Sequence, residues 1–339
     1  VGDAVKAAFV GLRHMHIFDV YACMLGRRDV EIVAVCEEDP QTRERLASAG
    51  TVKATHSSFQ DMLSQVEFDL LVVGDVFAKR GGQIITALKA GKHVLSDKPL
   101  CTDLEELAQI ESLSQQHRLA VGAVLELRDS GAFRRTRELV SAGTIGEVHT
   151  INFCGQHPLL LESRPAWYFE AGNHGGTIND IAIHGIDILL WITGKEFREI
   201  VAARCWNAGL KRHPQFRNAG QLMMVMEGGC GVLGDVSYIS PDGFLYNLPQ
   251  YWRFTFWGER GMLEMGLNES KIRVYSASAE QPELFEAAPD RAGGYLDDFL
   301  AAVRGLKGRR DSQLVSATRI CLKVQEAADR NMTGTNLSL

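Results

Sequence analysis

Residues 5–40 read VKAAFVGLRHMHIFDVYACMLGRRDVEIVAVCEEDP, and the fold is decided there. An apolar run over 5–10 stops at Gly11, a helical pattern continues to about Gly26, and a second apolar run, VEIVAVC at 30–36, stops at an acidic pair. Strand-length runs that stay apolar without alternating belong to strands buried on both faces. A strand, a helix and a strand in that order form the unit of a parallel sheet. Asp39 before Pro40 announces the next helix, because an aspartate can accept an orphan amide at a helix start and a proline there has no amide to satisfy. Further out, FDLLVVG at 68–74, HVLSDKP at 93–99 and RLAVGAV at 118–124 repeat the strand pattern. Thr102 and Glu105 have the spacing of a capping box and are read as opening a helix through His117. One α/β domain is thus expected over residues 1–123.

From about residue 145 the pattern changes to longer polar–apolar alternations: GEVHTINFCGQ (146–156), FREIVAARCWN (197–207), QLMMVMEGGCGVLGDVSYIS (221–240), YWRFTFWGERGMLEM (251–265) and SKIRVYSAS (270–278). Such alternation marks antiparallel strands covered on one face. GTINDIAIHGIDILLWITG (176–194) interrupts them with apolar residues at helical spacing and a glycine at each end. The expected second domain, mixed and largely antiparallel with an open face, covers 124–310; a helical segment over 311–339 is expected to return toward the first domain, with the basic run KGRR at 307–310 as a solvated loop.

The 339 residues suffice for about two domains. Lys plus Arg number 36 against 42 Asp plus Glu, a net charge of -6, so no basic face recommends nucleic acid. No apolar run reaches membrane-spanning length and the first residues do not read as a secretory signal, so a cytoplasmic protein with no membrane partner is expected. Seven cysteines without short spacings argue against a disulfide scaffold and a structural zinc. What remains is a metabolite enzyme or a metabolite binder.

Two places carry chemistry. In VGLRHMHI, Gly11 stands where a dinucleotide-binding turn places its first glycine, while Arg13 and His16 stand where the second and third would be. The helix start beyond it, with Arg13, His14 and Met15, can hold a pyrophosphate through amides and charge, or be an ordinary strand-to-helix turn. Glu37, at the end of the second strand, can accept from an adenosine ribose and repel the extra phosphate of NADP, which makes NAD the expected cofactor and NADP the alternative. Lys98, between an apolar strand and Pro99, can orient or protonate a substrate oxygen, or be a surface lysine. The second place is the helix at 176–194. Asp180 and His184 are four residues apart and Asp187 three further, which puts them on one face, suited to an acid that orients and a histidine that moves a proton, or to a buried structural histidine. No HExxH is present and no metal is expected.

In these residues the chain resembles the family of glucose-fructose oxidoreductase, inositol dehydrogenase and the rhizopine-catabolism oxidoreductases. AGKHVLSDKPL (90–100) resembles the family's AGKHV and EKP signature, with Asp97 in place of the usual glutamate and Lys98 at the active-site lysine. The helix at 176–194 resembles the family's GG, Asp, His and Asp helix; WGERGMLE (257–264) resembles its G-x-x-G strand turn; YLDDFLAAVRG (295–305) and AADRNMTG (327–334) resemble its closing helices. The resemblance implies an N-terminal Rossmann domain and catalytic roles for Lys98, Asp180 and His184. It also implies cofactor contacts from the turn, from Glu37 and from Asp75, and a substrate wall from Arg128 and Trp167. GDVFAKRGG (74–82) departs from the family's T-P-x-x-x-H segment: Asp75 stands for the threonine as a cap, Val76 for the proline, and Arg80 or Gly81 for the histidine. The implied activity is hydride transfer to or from a sugar, cyclitol or related polyhydroxylated substrate by a homodimer or homotetramer. The alternatives are a catalytically silent binding subunit, or an enzyme with retained NAD that cleaves or epimerises a sugar through transient oxidation.

Overall fold

A computed structural model of the chain describes residues 4–306 and 311–337. KGRR lies outside them. The chain divides into two compact units: residues 1–124, 172–174 and 296–315 in the first, and 125–171, 175–295 and 316–339 in the second.

In the first unit β1 (Val5–Val10), β2 (Val30–Cys36), β3 (Leu70–Val73), β4 (His93–Ser96) and β5 (Val121–Ala123) form a parallel sheet in the order β2-β1-β3-β4-β5. Between them run α1 (His16–Leu25), α2 (Pro40–Ala49), α3 (Phe59–Gln65), α4 (Phe77–Lys89) and α5 (Leu104–His117). β3 is buried at every position, as expected of a strand covered on both faces. Asp39 caps α2 as its sequence requires, accepting the Thr42 amide at 2.8 Å. The cap of α5 corrects the expectation: Asp103, not Thr102, accepts the amides of Glu105 and Glu106, because its carboxylate reaches two donors at once. The strand order reverses direction between β1 and β3, the place where open α/β sheets leave a crevice beyond their C-terminal ends.

The second unit begins with α6 (Gly131–Ser141) and carries a nine-stranded sheet. Its strands are β6 (Val148–Pro158), β7 (Phe197–Trp206), β8 (Ala219–Met226), β9 (Cys230–Ser240), β10 (Arg253–Gly258), β11 (Gly261–Gly266), β12 (Lys271–Ser276), β13 (Glu283–Glu286) and β14 (Thr333–Asn336). Within this sheet, among the described residues, only the pairing of β6 with β9 is parallel. Ile151, Phe153, Phe254, Phe256, Leu263 and Met265 fill its covered face. Helix α7 (Ile183–Thr193) crosses that face at Gly185, where a Cβ would come within 2.5 Å of the Phe153 ring. The register puts Met223, Leu233, Trp257 and Tyr275 on the opposite face, all exposed.

The chain ends differently from the expectation. Helix α8 (Gly294–Val303) lies almost wholly in the first unit, with Phe299 against Gly122 of β5. Helix α9 (Asp311–Arg330) passes to the second unit from Ser316 onward, and Thr333–Asn336 is a strand on β7, not helix. The return to the first unit is therefore made by 296–315. β7 would otherwise be an edge with unpaired backbone groups, and β14 covers it.

Candidate functional site

The C-terminal ends of β1, β2 and β4 bring Gly11, Glu37 and Lys98 to the same edge of the first sheet. Gly11 has φ +69°, and a Cβ there would meet the Cβ of Asp75 at 2.4 Å, so only glycine lets the turn lie this close to the chain after β3. The Leu12 amide donates to Glu37 Oε2 at 2.6 Å, and the amides of Arg13 and His14 both donate to the Gly74 carbonyl at 3.2 Å. Glu37 also accepts the Asp39 amide at 2.9 Å and is buried; burial raises its carboxyl, against the hydrogen bonds from Leu12 and Asp39. Arg13 approaches Asp39 at 3.9 Å, Arg43 Nη1 donates to the Glu37 carbonyl at 2.8 Å, and Met15 is exposed. A glycine turn beneath a helix start, with a carboxylate at the next strand end, is the arrangement of a dinucleotide-binding sheet, although both oxygens of this carboxylate are taken by the Leu12 and Asp39 amides.

Behind Lys98 lies a cluster that the sequence reading did not assemble. The Asp97 carboxylate accepts four donors: the Lys98 amide at 2.8 Å and His16 Nδ1 at 3.2 Å on Oδ1, and His14 Nδ1 at 2.5 Å and Arg80 Nη2 at 3.0 Å on Oδ2. Arg80, fully buried, also donates through Nε to the Asp75 carbonyl at 2.8 Å and through Nη1 to the carbonyls of Lys98 and Pro99 at 2.5 and 3.2 Å. Lys98, whose bond to Pro99 is cis, is itself buried. Burial by itself would raise the Asp97 carboxyl; the charge and hydrogen bonds around it outweigh burial and hold it well below the usual carboxylate range. Burial pushes His14 down to about 4, with Asp97 pulling it up, so the ring is neutral near pH 7 and Arg80 supplies the standing positive charge. His14, His16 and Asp97 have the composition of a metal site, with ligand atoms within 4.8 Å of one another. A buried guanidinium on the same carboxylate, and four donors filling its lone-pair sites, make this a hydrogen-bonded ion network instead. Asp75 accepts the Val76 amide at 2.7 Å and Gln83 Nε2 at 2.8 Å, so it braces the start of α4 and the Gly11 turn. The two departures noted in the sequence, Asp97 and Arg80, thus meet each other; pairing across 17 positions leaves no periodic signal to find.

In the second unit the helix at 176–194 opens with a π turn, Ile178–Ala182, before α7. Gln325 of α9 caps it, accepting the amides of Ile178 and Asn179 at 3.0 and 3.3 Å. It fits because Gly176 has φ +96° and no side chain: a Cβ would lie 2.2 Å from Gln325. Asp180 is buried in the π turn, and His184 is half-buried one turn on, edge-on to Trp252 at 5.7 Å. π turns recur at functional sites, where they re-aim side chains. Asp187 does not join them: it is buried and takes both arms of Arg128, through Nε at 2.7 Å and through Nη2. The expected substrate wall is changed accordingly. The Arg128 fork is occupied by a carboxylate, and Trp167 is buried against Tyr168 at 4.3 Å between ring centres.

Residues 5–123 match a family model described as an oxidoreductase family with an NAD-binding Rossmann fold, and residues 133–264 match the GFO/IDH/MocA C-terminal domain. Among curated proteins, inositol 2-dehydrogenase 2 of Saccharopolyspora erythraea is 26% identical over 291 residues, covering 85% of this chain and 80% of that protein. The 1,5-anhydro-D-fructose reductase of Ensifer adhaerens is 25% identical over 174 residues, 51% of this chain and 52% of that protein. Against several curated relatives the match spans about half of their length. Among solved structures, the WlbA dehydrogenase from Bordetella pertussis in complex with NADH and UDP-GlcNAcA aligns with a TM-score of 0.80 at 19% identity, covering 99% of each chain. The myo-inositol 2-dehydrogenase from Lactobacillus plantarum aligns with a TM-score of 0.76 at 18% identity, covering 99% of this chain and 100% of that one. At these identities the structural likeness is one of fold.

Proposed function

We propose, from the premise that this chain belongs to the GFO/IDH/MocA oxidoreductase family, that it transfers hydride between a nicotinamide dinucleotide and a sugar, cyclitol or related polyhydroxylated substrate. The observation that carries this reading is the gathering of Gly11, Glu37 and a buried Lys98 at one edge of the first sheet. The nicotinamide, when bound, supplies the hydride acceptor or donor. Within the second unit His184 takes the hydroxyl proton in the oxidising direction and returns it in the reducing one, and Asp180 orients the hydroxyl. Lys98, held from behind by Arg80, is the other candidate for that proton. The preference for NAD over NADP rests on Glu37, whose carboxylate opposes a 2′-phosphate while Arg13 and Arg43 work the other way. Self-association into a dimer or tetramer through the open sheet face is supported by the exposed Met223, Leu233, Trp257 and Tyr275 on it. Sedimentation of the wild type and of Trp257→Glu tests that assembly; a wild-type monomer removes it.

The test of the activity is a titration with NADH and NADPH followed by nicotinamide fluorescence, then a screen of polyols and keto-sugars for absorbance change at the reduced-cofactor band. Binding tighter for NADH, with turnover of a polyol, is expected. A second reading, a dinucleotide binder without catalysis, is favoured by one observation, the spending of the Leu12, Arg13 and His14 amides on protein acceptors. Binding with no turnover across the screen selects it, and no binding of either dinucleotide by folded protein removes both.

A further inference from the structure

Resting on the dinucleotide reading, we propose that His16 grips the cofactor's pyrophosphate with its ring, making up by side chain for the three turn amides spent on protein acceptors. In a glycine-rich turn the amides before the helix point at the phosphates. Here three consecutive amides are committed elsewhere, Leu12 to Glu37 and both Arg13 and His14 to Gly74. A phosphate at this turn loses those three donors and is left with the amides at the start of α1, to which the His16 ring adds one more. It is the first residue of α1, where the helix dipole favours an anion. Its ring is fixed on two sides, by Asp97 Oδ1 at 3.2 Å from Nδ1 and by the edge-on His14 ring at 4.6 Å. Yet its side chain is 43% exposed, whereas Asp97 beneath it is fully buried. With Nδ1–H donating to Asp97, Nε2 is the nitrogen left to meet a ligand, and in the imidazolium form it donates to a phosphate oxygen. Nor does Asp97 repel the phosphate unopposed: Arg80 at 3.0 Å offsets its charge. The position therefore combines a directed donor with a favourable dipole and a neutralised acid; a glycine there would keep the dipole and lose the donor.

The test compares three probes on purified full-length protein: NADH by nicotinamide fluorescence, and ADP-ribose and adenosine by calorimetry. His16→Ala is expected to weaken NADH and ADP-ribose by about ten- to a hundredfold, the range of a hydrogen bond to a charged group, and to leave adenosine, which has no phosphate, unchanged. His16→Phe, which keeps the ring volume and removes both nitrogens, is expected to lose the same factor. Either variant holding ADP-ribose as tightly as the wild type overturns the proposal. So does an equal loss for adenosine, since His16 would then only shape the turn. A wild type that binds none of NADH, NADPH and ADP-ribose removes instead the dinucleotide reading on which the proposal stands.

Discussion

The strand ends of the first unit and the helix of the second solve the problem of a polar site in opposite ways. Around Asp97 nearly every polar atom is answered by another: four donors on one carboxylate, four acceptor contacts on one guanidinium, and a lysine held through its own carbonyl. His184 stands edge-on to the Trp252 ring, and the helix that carries it is set by a π turn capped by Gln325 from α9 and by an Arg128–Asp187 pair one turn further on. A dense network fixes position because no member moves without leaving a buried charge unpaired. The helix instead places a half-buried histidine through the setting of its own backbone.

The comparison breaks first at His184. His184→Ala should lower turnover by two orders of magnitude or more, the usual weight of general acid–base catalysis, while NADH affinity moves less than about twofold. Steady-state rates beside fluorescence titration measure both, and unchanged turnover removes the proton-transfer role. Next comes the ion network. Arg80→Met leaves the Asp97 carboxylate buried without its guanidinium and should cost about 3–5 kcal/mol, read by urea unfolding. A loss under about 1 kcal/mol would mean that His14 and the amide hold Asp97 by themselves.

The pH dependence sharpens the same contrast. His14 is held near 4 in the folded chain against an ordinary 6.5, so between those values the unfolded chain binds the extra proton and the folded one does not. Stability therefore falls as pH drops through that window, by up to about 3 kcal/mol from this residue. Asp97, whose folded value is depressed, adds its own loss only below its ordinary 3.8. The burial-raised Glu37 acts in the opposite sense, so the contribution is read as the difference between wild type and His14→Gln in unfolding free energy at pH 6.5 and 4.5. Parallel curves would show His14 to be charged in the fold. The smallest effect is expected at Glu37. Glu37→Ala should narrow the preference for NADH over NADPH severalfold, and because Glu37 holds the Leu12 amide it should loosen both dinucleotides as well. An unchanged ratio with weaker binding of both would reduce Glu37 to a brace of the turn.

Much of this was legible along the chain. Apolar runs ending at Gly11, Cys36, Val73 and Ser96 set the parallel strands, because a strand covered on both faces must be apolar throughout. Alternation after residue 145 set the antiparallel sheet, and Asp39 with Pro40 set a helix start that the structure keeps. Lys98, Asp180 and His184 stood out by residue type and spacing. The strands Glu283–Glu286 and Thr333–Asn336 did not, since short edge strands carry no apolar alternation long enough to read. Asp97 did not stand out as a hub, because its partners come from positions 14, 16, 80 and 98.

What the sequence by itself determined was local: which segments bury which face, where glycine is obligatory, and which side chains have the chemistry for proton transfer. These follow from periodicity and from properties each residue carries alone. Only the tertiary structure decided which charges meet: Arg80 on Asp97, Arg128 on Asp187, Glu37 on the Leu12 amide and Gln325 on the start of the helix that carries His184. A buried charge or amide must find a partner somewhere, but the partner lies wherever packing brings a complementary group, and separations of 17, 59, 25 and 147 residues leave no pattern in the chain to read.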